Sequence, residues 1–231
     1  MKTLGLIGGM SWESTAIYYQ HINKAIQQRL GGFHSAKIIL SSVNFAEIEQ
    51  LQRQNLWHVA GEQLKSEALR LQHAGADAIV LCTNTMHLVA PQIEDALSIP
   101  FLHIIDATAA AICQQDIQCV GLLGTSFTME QPFYTTRLQE HGLVVKQPDA
   151  ASRAEIHRVI YEELCQGQVI AASKQHYVDV IKQLKQQGAE AIILGCTEIG
   201  MLLPDASILD LPLFDTTHIH IATAVEFALS R

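Results

Sequence analysis

Two short stretches hold the residues of this chain best suited to acid–base or nucleophilic chemistry. One runs Leu81-Cys82-Thr83-Asn84-Thr85-Met86-His87, the other Gly195-Cys196-Thr197-Glu198. Each follows an apolar run, Ala78–Leu81 in the first case and Ala191–Leu194 in the second. A free thiol has a pKa of about 8.5, which a helix N-terminus or local charge can lower, so a thiolate is accessible near neutral pH. An alcohol is a far weaker acid. Without a base beside it, it does not abstract protons, although it can donate a hydrogen bond or pass on a proton held by water. The chemistry therefore turns on which cysteine faces it.

The chain bears on that point by repeating itself. The stretch from Gly75 to Thr85 matches the stretch from Gly188 to Glu198 without a gap, at an offset of 113 residues. Leu4–Gly9 pairs with Val120–Thr125 at an offset of 116, and the segment from Ile99 pairs with that from Leu211 at 112. Three matched segments in one order, at nearly one offset, favour two similar halves. Shared Gly-Ala-strand patterns are the plainer alternative. Under the offset of 113, Cys196 falls opposite Thr83, and Cys82 opposite Gly195. Side chains alternate along an extended segment, so a slip of one residue points the other way. If Cys196 faces the chemistry, Thr83 is its counterpart and Cys82 packs inward, as free cysteines commonly do.

The elements that must position these residues are legible from periodicity. Apolar runs at 4–7, 36–40, 78–81, 120–123 and 191–194 read as parallel strands covered on both faces. Helical periodicity fills 14–29, 58–73, 130–141, 153–165 and 173–187. Such alternation predicts an open α/β architecture: two similar doubly wound parallel-sheet domains related by a pseudo-twofold, with the active site in the cleft between them. The expected domains are 1–105 plus 213–231, and 106–212. Ligands of such sheets sit beyond the carboxyl ends of the strands. That singles out Gly8–Ser11 with Gly124–Ser126, Thr83–Thr85 with Cys196–Glu198, and the segments after Pro100 and Pro212. Gly5-x-x-Gly8-Gly9 lacks the spacing of a dinucleotide fingerprint.

Composition excludes several classes. With 48% apolar and 16% charged residues, the chain is core-rich rather than disordered. A net charge of −8 with no basic block argues against nucleic acid as a partner, while a small anionic substrate stays open. The apolar runs are too short to span a membrane, and the first residues carry no secretory signal pattern. Five irregularly spaced cysteines suggest no disulfide framework, and a reducing cytoplasm is the expected location. Among eleven histidines, His103, His218 and His220 lack tetrahedral ligand spacing, so no metal is expected.

The residues quoted above resemble the cofactor-independent aspartate/glutamate racemase superfamily. The resemblance rests on Thr83-Asn84-Thr85-Met86-His87 and Gly195-Cys196-Thr197-Glu198, with Gly8-Gly9-Met10 similar to the aspartate racemase branch. It implies a small amino-acid substrate, no cofactor and a homodimer. It also implies two groups flanking the α-carbon, one removing the α-proton and the other delivering a proton to the opposite face. Cys196 is then the thiol acting on the L substrate. The first thiol's place is taken by Thr83, which predicts an L-preferring, kinetically lopsided enzyme.

Further substrate contacts are expected from Met10, Ser11, Asn84, Thr85, Thr125 and Thr197. For Asn84 and Thr85, the plainer alternative is helix N-capping. Glu198 either positions a backbone or holds the substrate ammonium, the plainer alternative being a first-turn carboxylate that complements a helix dipole. Acidic-substrate racemases of the archaeal type carry an Arg and a Lys where this chain has Ile48 and Cys165. Gln52 and Arg53 are the nearest substitutes, Arg53 being as readily a solvated surface residue. His87, one turn after Thr83, either orients the loop or is a packed structural histidine. Two rival functions remain: a one-thiol decarboxylase or isomerase of the same fold, and a non-catalytic amino-acid-binding protein.

Overall fold

The computed structural model describes residues 1–203 and 210–230. The chain divides into two compact units, Met1–Ile104 with His220–Arg231, and Ile105–Ile219.

The first unit holds strands β1 (Thr3–Gly8), β2 (Lys37–Ser42), β3 (Ala78–Leu81) and β4 (Phe101–Leu102), all parallel, in the order β2-β1-β3-β4. Helices α1 (Trp12–Leu30), α2 (Phe45–Arg53), α3 (Trp57–His73) and α4 (Ala90–Glu94) cover it. Alternate residues of β1 and β3 enter two separate cores. Ile7, Ile79 and Leu81 pack with Ile48, Leu64 and Leu71 of α2 and α3. Leu4, Leu6, Val80 and Cys82 pack with Tyr18 and Ile22 of α1 and with Ile221 and Val225 of the C-terminal helix. Two apolar layers at period two are what make these strands continuously apolar. The edge strand β2 departs from that expectation. Its outer positions are open to solvent and Leu40 is exposed.

The second unit repeats the pattern with β5 (Cys119–Gly124), β6 (Val144–Lys146), β7 (Ala191–Gly195) and β8 (Leu213–Asp215), in the order β6-β5-β7-β8. Its helices are α5 (Ile104–Cys113), α6 (Ser126–Glu130), α7 (Pro132–Glu140), α8 (Ala150–Glu162), α9 (Ala171–Gln186), α10 (Ile199–Leu202) and the start of α11 (Thr216–Leu229). Register repeats as well as order. Leu4 pairs with Ala78 as Val120 pairs with Ala191, and Ile79 with Phe101 as Ile192 with Leu213. These are the offsets of 116, 113 and 112 read from the sequence.

Two boundaries lie elsewhere than expected. The chain returns to the first unit at His220 rather than at 213, because β8 pairs with β7 and anchors that segment in the second sheet. The helix expected over 130–141 is present as α7 but starts two residues later, behind a short separate helix α6. α6 ends at Glu130 and α7 begins at Pro132, whose ring supplies no N–H to continue the earlier helix.

Candidate active site

In the first unit the loop after β1 is shaped by glycine. Gly9 adopts φ +90°, and a Cβ there would strike the Val43 carbonyl oxygen. The Gly9 N–H donates to Thr15 Oγ1 at 2.8 Å, and the Val43 N–H donates to Gly8 O at 3.0 Å. Met10 is buried in the core, and Ser11 caps α1 by accepting from the Ser14 N–H at 3.2 Å. The Ser11 hydroxyl oxygen thus has a structural task as an N-cap.

β3 ends at Leu81, and the chain turns sharply at once. The Thr83 N–H donates to Leu81 O at 2.9 Å. Cys82 points into the core, fully buried, and burial raises its thiol pKa far above the usual range. Thr83 is partly exposed. Asn84 and Thr85 are buried and open a single 3-10 turn, Thr85–Val89, without a side-chain cap from Asn84. Plain N-capping therefore does not account for Asn84. The His87 ring lies beneath, with Nδ1 2.7 Å from Thr83 O.

On α2 the two substitutes separate. Gln52 is buried, with its Nε2 3.0 Å from Met86 Sδ, and among the described residues its Oε1 has no hydrogen-bond partner. Arg53 is 78% exposed and ion-paired with Glu49, so the structure puts it on the solvent face, away from Gln52. Ile48 is core.

In the second unit, β7 ends at Gly195. A Cβ on that residue would come within 2.9 Å of Leu123 O, so no side chain fits where the first unit carries Cys82. Cys196 follows, partly exposed, and its Sγ donates to Glu198 Oε2 at 2.9 Å. Burial of the sulfur and then the Glu198 carboxylate push this thiol well above its ordinary value. The sequence suggested an easily formed thiolate. The surroundings instead favour the protonated thiol, because α10 is only a four-residue turn and the neighbouring Glu198 carboxylate is negative. Thr197 shares a hydrogen bond between hydroxyls with Thr217 at 3.1 Å. Thr125 caps α6, with its Oγ1 accepting from the Thr128 N–H at 3.3 Å.

Sequence reasoning overlooked two neighbours here. His157 Nδ1 accepts the Ser126 N–H at 3.1 Å, and burial lowers its pKa. Tyr177 is fully buried and donates to Ile156 O at 3.1 Å, and its pKa is raised by burial and then by Cys196 close by. Both lie in amphipathic helices whose periodicity alone explains them, so no separate signal marked them. Among the described residues no group of three or more His, Cys, Asp or Glu could hold a metal ion, and no helix is long and apolar enough to cross a membrane.

Comparison with known proteins adds to this geometry. A family model described as Asp/Glu/Hydantoin racemase matches residues 7–224. A crystal structure from Yersinia pestis, described as a candidate Asp/Glu racemase, is 54% identical with a TM-score of 0.95, and covers all of both chains. An aspartate racemase homologue from Pyrococcus horikoshii OT3 is 33% identical with a TM-score of 0.86, again over both whole chains. The broad specificity amino-acid racemase RacX of Bacillus subtilis is 30% identical over 158 residues, 65% of this chain and 64% of that relative.

Proposed function

Because the chain belongs to the Asp/Glu/hydantoin racemase family, we propose that it racemises a small amino acid without a cofactor, with Cys196 and Thr83 acting on opposite faces of the α-carbon. The observation that carries this reading is the matched pair of strand ends. Thr83 and Cys196 are partly exposed at equivalent positions after β3 and β7, while their predecessors Cys82 and Gly195 are buried. One end supplies a thiol, the other an alcohol.

The chemistry starts from the thiol held on Glu198. The carboxylate takes the thiol proton as the substrate ammonium brings positive charge near the sulfur, which favours the thiolate. The thiolate removes the α-proton of the L substrate and becomes a thiol again. The carbanion is reprotonated on its other face by a solvent proton passed through the Thr83 hydroxyl, and Glu198 returns the proton it took to solvent, which restores the starting pair. In the reverse direction Thr83 has no comparable base, so proton removal from the D substrate is slow.

Backbone and side-chain donors at Asn84, Thr85 and Thr197, with the loops at Met10–Ser11 and Thr125, suit the α-carboxylate. Aspartate or glutamate is the first substrate to try, with a wider range close behind. The buried Ile48, the outward Arg53 and the neutral, under-partnered Gln52 support breadth over strict recognition of a side-chain carboxylate. A cytoplasmic homodimer completes the proposal. Trp12 and Tyr19, exposed seven residues apart on α1, offer a self-association face, and sedimentation equilibrium tests it.

The deciding experiment follows the α-proton of single L- and D-amino acids in D₂O by proton NMR, with Cys196→Ala alongside. Loss of the L signal, abolished by the substitution, establishes the reaction and names its substrates. Silence with every amino acid overturns it.

A further inference from the structure

Five rings pack beneath Thr83 in the first unit. His87 is 1% exposed. Its ring centre lies 4.6 Å from that of His103, 5.5 Å from Phe101 and 6.0 Å from His220, and Tyr18 stands 5.6 Å beyond His220. The polar atoms are matched with care. His87 Nδ1 lies 2.7 Å from Thr83 O, and the Ile104 N–H donates to His87 Nε2 at 3.2 Å. A carbonyl oxygen only accepts and an amide N–H only donates. The two bonds together therefore select the neutral tautomer with its proton on Nδ1. His220 carries the opposite tautomer. Its Nε2–H donates to Leu102 O at 2.6 Å, and its Nδ1 accepts from the Tyr18 hydroxyl at 2.8 Å.

Thr83 needs such a tie. It lies past the end of β3, outside the ladder that fixes the direction of the strand, with its N–H turned back on Leu81 O. The carbonyl on His87 is the next point along the same residue where its backbone is held. Through Ile104, that hold reaches back to the main chain immediately after β4.

We propose that His87 is a positioning residue: its Nδ1–H clamps the Thr83 carbonyl, and the Ile104 N–H clamps its Nε2, so that the Thr83 hydroxyl is aimed at the α-carbon. This rests on the reading of Thr83 as the group that reprotonates the substrate. The clamp acts on one half-reaction only. Cys196 can remove the α-proton of the L substrate, exchange it with D₂O and return deuterium to the same face, whatever Thr83 does. Inversion needs Thr83.

The test compares His87→Gln with His87→Asn. A glutamine amide reaches the Nε2 position and can keep the Ile104 bond, but it leaves Thr83. An asparagine amide nitrogen falls near Nδ1 and can keep the Thr83 bond. In D₂O, His87→Gln is expected to lower L-to-D conversion about 10²-fold, the cost of a small misplacement, while deuterium wash-in to the L substrate with retention persists. His87→Asn is expected to recover most of the conversion. Parallel loss of conversion and wash-in, or no advantage of Asn over Gln, overturns the proposal. A wild-type protein that exchanges no α-proton overturns the racemase reading itself and this role with it. Long-range ¹H–¹⁵N NMR of histidine-labelled, unliganded protein reads the clamp without turnover. A histidine protonated on Nδ1 alone, lost in both variants, is expected, and its absence from the wild type overturns the clamp.

Discussion

The Cys196 thiol donates to the Glu198 carboxylate across 2.9 Å, two residues along the same turn. A carboxylate so placed keeps the proton on sulfur while the site is empty, since two negative charges in contact disfavour each other. Burial works in the same direction and is the larger cause. Replacing Glu198 by Gln removes the negative neighbour but not the burial. Alkylation of Cys196 by iodoacetamide at pH 8, followed by mass spectrometry, is expected to be faster in Glu198→Gln than in the wild type, while α-proton exchange is slower because the proton acceptor is gone. Equal alkylation rates would show that burial alone governs the thiol.

Position 83 sets the asymmetry between enantiomers. Thr83→Cys supplies a thiol at the equivalent strand end and is expected to speed α-proton exchange from the D substrate by about 10²-fold, the lower range of general base catalysis. Thr83→Ala is expected to slow inversion more than L-substrate wash-in. Enantiomers have equal free energies in water, so kcat/KM for the two directions must still agree, with the asymmetry appearing in kcat and KM separately. No gain in D exchange from Thr83→Cys would remove Thr83 from the reacting face.

Cys82 is expected to be catalytically silent. It is fully buried in the layer with Val80, Tyr18 and Val225, and burial pushes its thiol far up. Cys82→Ala should leave exchange within about twofold and lower stability by about 1–2 kcal/mol through the small cavity it leaves. Cys196→Ala should cut exchange by about 10²–10⁴-fold, the usual contribution of a positioned acid or base. A chevron or urea midpoint beside the NMR rates separates the two effects.

His220 predicts a specific acid sensitivity. Burial lowers its pKa from 6.5 to about 4, so the unfolded chain binds its proton more readily than the folded one. The stabilisation it gives as a neutral ring is complete above about pH 6.5 and is lost as pH falls toward 4, amounting to about 3 kcal/mol in all. Urea midpoints measured from pH 7 to pH 4 should fall along this slope in the wild type and more gently in His220→Gln. Parallel profiles would place the acid sensitivity elsewhere.

Gly9 tests the loop after β1. Its φ of +90° and the closeness of the Val43 carbonyl oxygen exclude a side chain without a shift of the loop after β1. Gly9→Ala is expected to cost about 2–3 kcal/mol, seen as a fall in melting temperature of several degrees. An unchanged melting curve would mean that the loop has room to move.

The central strands were legible because β1, β3, β5 and β7 are buried on both faces and so run continuously apolar. β4, β6 and β8 are two or three residues long, too short for any periodicity to register, and β8 in particular moved the return of the chain from 213 to 220. The equivalence of Thr83 and Cys196 was readable from an ungapped offset, and the buried pair Cys82 and Gly195 follows from the same count. What the pattern could not supply was direction within a helix turn. Gln52 and Arg53 are neighbours in sequence, yet one is buried and the other pairs with Glu49 in solvent. Nor could it give the state of the thiol. That depends on where the Glu198 carboxylate falls, and a motif of four letters leaves both a capping and a bonding geometry open.

The division of the chain has a bearing on how the protein is made. The unit carrying Cys196 is one uninterrupted segment, 105–219, set into a unit whose two parts are 1–104 and 220–231. The second of those parts is not ornamental: Ile221, Ala224, Val225 and Ala228 share a core with Leu4, Leu6 and Val80. During synthesis the thiol-bearing half has all of its sequence before the half bearing Thr83 does. On one face of its sheet the N-terminal half has α1, through Tyr18, Ile22 and Ile26, but lacks the rest of that core until α11 is made. Removal of residues 220–231 should therefore harm the Thr83 half first.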